Sequence, residues 1–196
     1  MVTRSALGVT ITPNRAAGFS LVEMLIVLTL LSIVALIALP RVNFTQFEMD
    51  AAARAVRMTL QSAQREAITR QFNMVVSFDV AQGKVRVLED NNDNGSVDNG
   101  ERVTWLTLED GAHFATPPAG VNGAASTPVI GSNVQSLSGL PSIIFRRDGA
   151  SSTDLEVYLT SRRAISADYR GITVVQSTGR TDWFKYIGAA WKSGNL

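Results

Sequence analysis

Gly18-Phe19-Ser20-Leu21-Val22-Glu23-Met24-Leu25 opens a nearly uninterrupted apolar run that continues to Leu39, and this stretch decides the kind of chain. The run from Phe19 to Leu39 holds 21 residues; as a helix rising about 1.5 Å per residue it spans roughly 32 Å, enough to cross a hydrocarbon core of about 30 Å. It predicts a membrane helix. Residues 1–18 are polar or small and carry Arg4 and Arg15, which predict a cytoplasmic N-terminus, although Arg41 beyond the run weakens the asymmetry.

A secretory signal peptide is cut after its apolar stretch, yet Ala38-Leu39-Pro40-Arg41 offers no small-residue cleavage site. The small residues Ala16-Ala17-Gly18 stand before the run instead. A cut after Gly18 would remove the basic leader, keep the hydrophobic segment and create a free amine on Phe19. That amine matters because of Glu23. A carboxylate near the end of a membrane helix costs about 1–3 kcal/mol unless paired, and no basic residue lies within a helical turn of it. The Phe19 amine, of the same chain or a neighbouring one, is the available partner.

The octapeptide resembles the processing motif of type IV pilins and type II secretion pseudopilins. The resemblance implies that a prepilin peptidase cuts between Gly18 and Phe19, that Phe19 is N-methylated, and that Glu23 pairs with a neighbour's amine during assembly. Pro40 also resembles the family, where a proline at this depth kinks the long helix; it removes a backbone donor and clashes with the preceding turn. The competing reading is a plain signal anchor whose Glu23 faces a partner helix by accident.

From Phe47 to Phe72 the chain lacks proline and glycine, and Ala52, Val56, Leu60, Ala63, Ala67 and Ile68 recur near helical spacing. An amphipathic helix is expected, continuing the membrane segment to roughly 75–80 Å in all. Arg54, Arg57, Arg65 and Arg70, interspersed with Glu48, Asp50 and Glu66, read as its solvated face. After Phe72 the period turns strand-like at Met74–Phe78, Lys84–Leu88, Val103–Leu108, Ser142–Phe145, Leu155–Leu159 and Ile172–Val175. Thr116 to Leu140, rich in Gly, Ala, Ser, Asn and Pro, reads as a long loop.

The expected organisation is a cleavable leader over 1–18, a transmembrane and assembly helix over 19–40, its amphipathic continuation over 41–72, and a β-rich domain over 73–196. This is an α+β, pilin-like fold with a long N-terminal helix packed on an antiparallel sheet. The order of these pieces, with Ser142-Ile143-Ile144-Phe145-Arg146-Arg147-Asp148-Gly149 and Ser177-Thr178-Gly179-Arg180, resembles the GspH/FimT branch of pilin-like proteins. The resemblance implies a non-catalytic subunit of a type II secretion pseudopilus or type IV pilus. Its implied partners are other pilin subunits, the prepilin peptidase and the bacterial inner membrane, with the globular domain on the periplasmic side.

Asp90 to Glu101 reads D-N-N-D-N-G-S-V-D-N-G-E and fits the calcium-loop template D-x-[DN]-x-[DN]-G-x5-E throughout. Asp90, Asn92 and Asn94 offer side-chain oxygens, Gly95 the sharp turn, Ser96 a backbone carbonyl, Asp98 a position that acts through water, and Glu101 a bidentate carboxylate. The flanks look like strands, so a polar hairpin turn is the competing reading. No cofactor is required by the expected role; calcium is the one candidate.

Some FimT-like proteins are implicated in DNA uptake through a basic C-terminal motif after a Gly-Arg pair. Gly179-Arg180 is present, but Asp182 stands where the next basic residue is expected. Arg180, Lys185 and Lys192 with Trp183, Tyr186 and Trp191 could form a stacking-and-phosphate surface. The balance of 18 basic and 17 acidic residues points to no nucleic-acid binder overall. The absence of cysteine excludes disulfides and thiol chemistry. His113, the single histidine, reads as a loop or strand-edge residue. An anchored hydrolase using Asp148, Asp154 or Glu156 would lack a nucleophile–base arrangement, so no enzyme is expected.

Overall fold

The computed structural model describes residues 18–38, 44–109 and 111–194. Its contacts divide the chain into two units, Met1–Val42 and Asn43–Leu196. In the first, helix α1 runs from Leu21 to Ala38. Ser20 caps it: its hydroxyl accepts from the Val22 amide at 3.3 Å, and its carbonyl accepts from Met24 N at 3.1 Å. An N-cap serine answers amide donors that the first turn cannot bond internally. The large apolar side chains of α1 from Leu21 to Leu36 are exposed.

No helix among the described residues is long and apolar enough to cross a membrane. The 18 residues of α1 reach about 27 Å at the usual helical rise, a little short of a hydrocarbon core. The expected span to Leu39, the leader before Gly18, the Pro40 kink and the continuity of one long helix lie outside the described residues.

The second unit is built around helix α2, Phe44–Arg70. It buries Met49, Ala53, Val56, Leu60, Ala63 and Ala67, a stripe whose steps of three and four keep one face inward. The sequence placed Ala52 and Ile68 in this stripe; Ala52 is only half-buried and Ile68 is exposed, because the true stripe enters one residue later through Ala53. α2 ends at Arg70, because the next residue, Gln71, has a φ of 61° that breaks the helix. Its amide still reaches Ala67 O at 3.0 Å and its carboxamide donates to Ile68 O at 2.7 Å. Those bonds satisfy carbonyls that a terminating glycine would otherwise have served.

Two antiparallel sheets receive the helix. The first contains β1 (Asn73–Asp79), β2 (Lys84–Asp90), β3 (Val103–Thr107), β6 (Gln135–Leu137) and β7 (Leu140–Phe145), in the order β3-β2-β1-β7-β6. The second contains β4 (His113–Phe114), β8 (Leu155–Thr160), β9 (Arg170–Val174), β10 (Thr181–Ile187) and β11 (Ala190–Ser193), in the order β11-β10-β9-β8-β4, with β5 (Val129–Ile130) also on β8. Alternate residues of both sheets point at α2. Met74, Val76, Phe78, Ile143 and Phe145 come from the first, and Leu155, Val157, Ile172, Val174 and Trp183 from the second. Each such side chain, fully buried, contributes roughly 1.5–3 kcal/mol.

The stretch expected as a loop from Thr116 to Leu140 contains the short strands β5 and β6. His113, read as a loop or strand-edge residue, lies on edge strand β4, opposite Thr160.

Candidate functional site

Three regions carry residues that the sequence singles out. The first is the start of α1. Gly18 and Phe19 precede the helix outside any regular element, Phe19 is 79% exposed, and Glu23 stands exposed in the first turn. Among the described residues no basic side chain bonds Glu23. A carboxylate in this turn lies at the positive end of the helix dipole, a favourable place for an anion.

The second region is the loop from Asp90 to Glu101, which joins β2 to β3. The two Asp90 carboxylate oxygens accept from Asn94 N at 3.1 Å and Gly95 N at 2.8 Å, and Gly95 adopts φ 69°. The Asn92 and Asn94 side-chain oxygens accept from Asn94 N and Ser96 N at 3.2 and 2.7 Å. Glu101 closes the loop, accepting from Asn91 N at 3.0 Å and Asp98 N at 3.1 Å. Every side chain named by the calcium template therefore turns into the same loop. The carboxamides of Asn92 and Asn94 donate to Asp98 at 2.8 and 2.6 Å and hold its carboxyl below the usual carboxylate range. Among the described residues no three Asp, Glu, His or Cys side chains converge as a metal-holding group; half of this loop's candidate donors are asparagines or a backbone carbonyl. Asp93, outside the template positions, bonds Asn73 at 2.8 Å and pairs with Arg147 on the turn after β7. The loop is thus tied to the body of the domain.

The third region is the C-terminal hairpin of β10 and β11. Lys185 Nζ lies 2.7 Å from Asp50 Oδ2 and sits over the Trp183 ring, facing α2. Arg180 is bound to Asp182 at 2.8 Å and shares a groove of about 700 Å³ with the carboxylates of Asp154, Glu156 and Asp182. Those three acids repel a phosphate that one arginine would attract. Lys192 is exposed on β11, opposite Lys185 in the ladder. Trp191 is spent on packing, 5.5 Å from Tyr158 and 5.0 Å from Tyr186, and donates to Ala119 O at 2.8 Å. The structure does not bring Arg180, Lys185 and Lys192 together as one phosphate surface.

Gly179 has a structural reason of its own. Its φ is 63°, and a Cβ there would collide with Gly149 O and the Gln64 carboxamide. Gln64 donates to Gly149 O and Thr178 O, both at 2.8 Å, clamping both turns to α2. Arg54 and Arg57, expected on the solvated face of α2, also serve the fold: Arg54 lies over the Trp183 ring and Arg57 donates to Thr181 O at 3.1 Å.

The helix with its exposed first-turn glutamate and the helix-centred β domain define a pilin-like subunit. A prokaryotic N-terminal methylation motif matches residues 13–39, and the type II transport protein GspH model matches residues 52–179. The chain belongs to the type II transport protein GspH family. The minor pseudopilin EpsH from the type II secretion system of Vibrio cholerae is similar in fold, at 15% identity and TM-score 0.51, over 72% of this chain and 99% of that one. The type IV minor pilin FimU of Pseudomonas aeruginosa aligns at 14% identity and TM-score 0.46, over 68% of this chain and 86% of that one. None of the curated proteins compared with the chain matches it. These findings do not favour the FimT-like DNA-uptake alternative.

Proposed function

We propose that this subunit is cut by a prepilin peptidase between Gly18 and Phe19, N-methylated at Phe19, and carried into a filament by α1 without catalysing a reaction. The segment around α1 anchors it in the inner membrane, with its N-terminus cytoplasmic and its domain periplasmic, until neighbouring subunits extract it. Glu23 carries this reading. It is an exposed carboxylate in the first turn of a helix whose other large side chains are apolar and exposed, so burial among neighbouring helices demands a cation for it. The new amine of Phe19 on an adjacent subunit supplies one. Glu23→Gln should leave cleavage intact and reduce recovery in sheared filaments at least tenfold. Normal recovery of that variant would contradict the role of Glu23.

We also propose that the loop from Asp90 to Glu101 takes calcium, with Asp90, Asn92, Asn94, the Ser96 carbonyl and Glu101 as direct ligands and Asp98 through water. All template positions are filled by oxygen-bearing residues, and Gly95 supplies the left-handed turn. Binding requires Asn92 and Asn94 to present their carboxamide oxygens inward. A site that fixes this hairpin would also fix Asp93 against Arg147. Calcium at a hundredfold excess over its Kd would stabilise the domain by about 2.7 kcal/mol. Thermal unfolding of the full chain in detergent, with calcium and then with chelator, should differ in wild type and coincide in Glu101→Gln. Coincident curves in wild type would remove the site.

A further inference from the structure

The two sheets end very differently at their edges. β6 is three residues long and pairs with β7 at Pro141, β4 and β5 have two residues each, and β11 carries Lys192. Short edges, proline and lysine are the usual devices against unwanted strand addition. β3 has none of them. It is Val-Thr-Trp-Leu-Thr, bonded among the described residues to β2 alone, with no charge, proline or bulge, and Trp105 is 48% exposed.

The register fixes which of its backbone groups are free. Arg102 O accepts from Glu89 N at 3.0 Å and Leu108 N donates to Gly83 O at 2.9 Å. Even-numbered residues therefore bond β2, and by antiparallel alternation the amides and carbonyls of Val103, Trp105 and Thr107 face outward. Beside this edge runs a groove of about 240 Å³ between β3 and α2, floored by Ala51, Ala52, Ala55, Leu106 and Leu108. Small alanines keep it open. Glu48 and Glu109 stand at its mouth, and neither bonds a basic side chain among the described residues.

We propose that β3 accepts an extended segment of another filament subunit as an added strand. Its alternate apolar side chains enter the groove against Ala51 and Ala55, and a lysine or arginine at one end meets Glu48 and Glu109. Backbone pairing supplies the attachment and the alanine-floored groove the side-chain selection, which is the general logic of strand addition. The acidic mouth selects a basic partner. A second copy of this chain is the less favoured occupant, because Arg102, the basic residue at the end of its own β3, is already paired with Glu66 and Glu89. The proposal rests on the filament-subunit role above.

The test is photocrosslinking in the native cell, with benzoylphenylalanine placed at exposed Thr104, whose side chain lines the α2 side of the edge. The expected product joins this chain to another filament subunit, at a segment of alternating apolar residues with a lysine or arginine at one end. Thr107→Pro removes an outward donor that the fold does not use and should cut the yield at least tenfold. The paired reversal Glu48→Lys and Glu109→Lys should do the same. Should Thr107→Pro fail to accumulate, Trp105→Lys carries the comparison with its fold checked by protease resistance. Crosslinking to lipid, to a helix or to a second copy of this chain, or a yield unchanged by these substitutions, overturns the proposal. Cleavage after Gly18 and Glu23-dependent recovery, followed in the same cells, report separately on the filament role.

Discussion

Asp50 on α2 joins two strands of the second sheet at once: Oδ1 lies 2.7 Å from Arg170 Nε on β9, and Oδ2 lies 2.7 Å from Lys185 Nζ on β10. Arg170 is 2% exposed and also donates to Ala167 O, Tyr169 O and Gln46 O. The helix is thereby fixed to the sheet through charge as well as packing. Removing one partner of a buried pair costs more than the pair contributes, because the other charge stays buried.

Asp50→Ala should therefore destabilise the domain by about 3 kcal/mol. Lys185→Ala should cost about 1 kcal/mol, since that ammonium is partly exposed and can be hydrated. Urea unfolding of both variants checks the order, and equal losses would show that Arg170 does not depend on Asp50.

Gly179 and Arg180 separate a backbone role from a charge role within one dipeptide. Gly179→Ala places a methyl at a left-handed φ and against Gly149 O, so a loss of about 1–3 kcal/mol is expected. Arg180→Ala removes an exposed ion pair and should change stability by less than about 1 kcal/mol. Thermal unfolding distinguishes them.

Tyr158 gives a pH dependence with a definite sign. Burial, and then the hydrogen bond its hydroxyl donates to Glu156, push its phenol well above the ordinary value. The folded chain keeps this proton after the unfolded chain has lost it. Stability from this group is therefore complete below about pH 10 and falls as pH rises from there through the raised folded value. Phenolate absorbance should show a late-titrating tyrosine that is missing from Tyr158→Phe, and a titration unchanged by that substitution would contradict the assignment.

The pattern of apolar residues made much of this fold readable. The run after Gly18 and the short β-branched or aromatic runs at Met74–Phe78 and Leu155–Leu159 are local signals, and a helix and two strands lie there. The phase of α2 was legible only to within one residue, since consecutive alanines from Ala51 to Ala53 fit the stripe equally well until the sheets choose Ala53. The β10–β11 hairpin was not read as strands. Its aromatics and lysines resemble a binding surface in sequence, whereas the partners that use them up, Asp50 from α2 and Ala119 from the loop after β4, come from far away in the chain. At Asp90, Asn92, Asn94 and Glu101 the sequence offers a ligand spacing within twelve residues, and the structure shows these side chains accepting from amides of their own loop.

The central claim concerns the N-terminus, and intact mass with N-terminal fragmentation of the protein from its native membrane tests it most directly. With the prepilin peptidase present, the mature chain should begin at N-methylated Phe19; without it, residues 1–18 should remain. A chain that keeps its leader in both backgrounds, or is cut beyond the apolar run, would contradict the account.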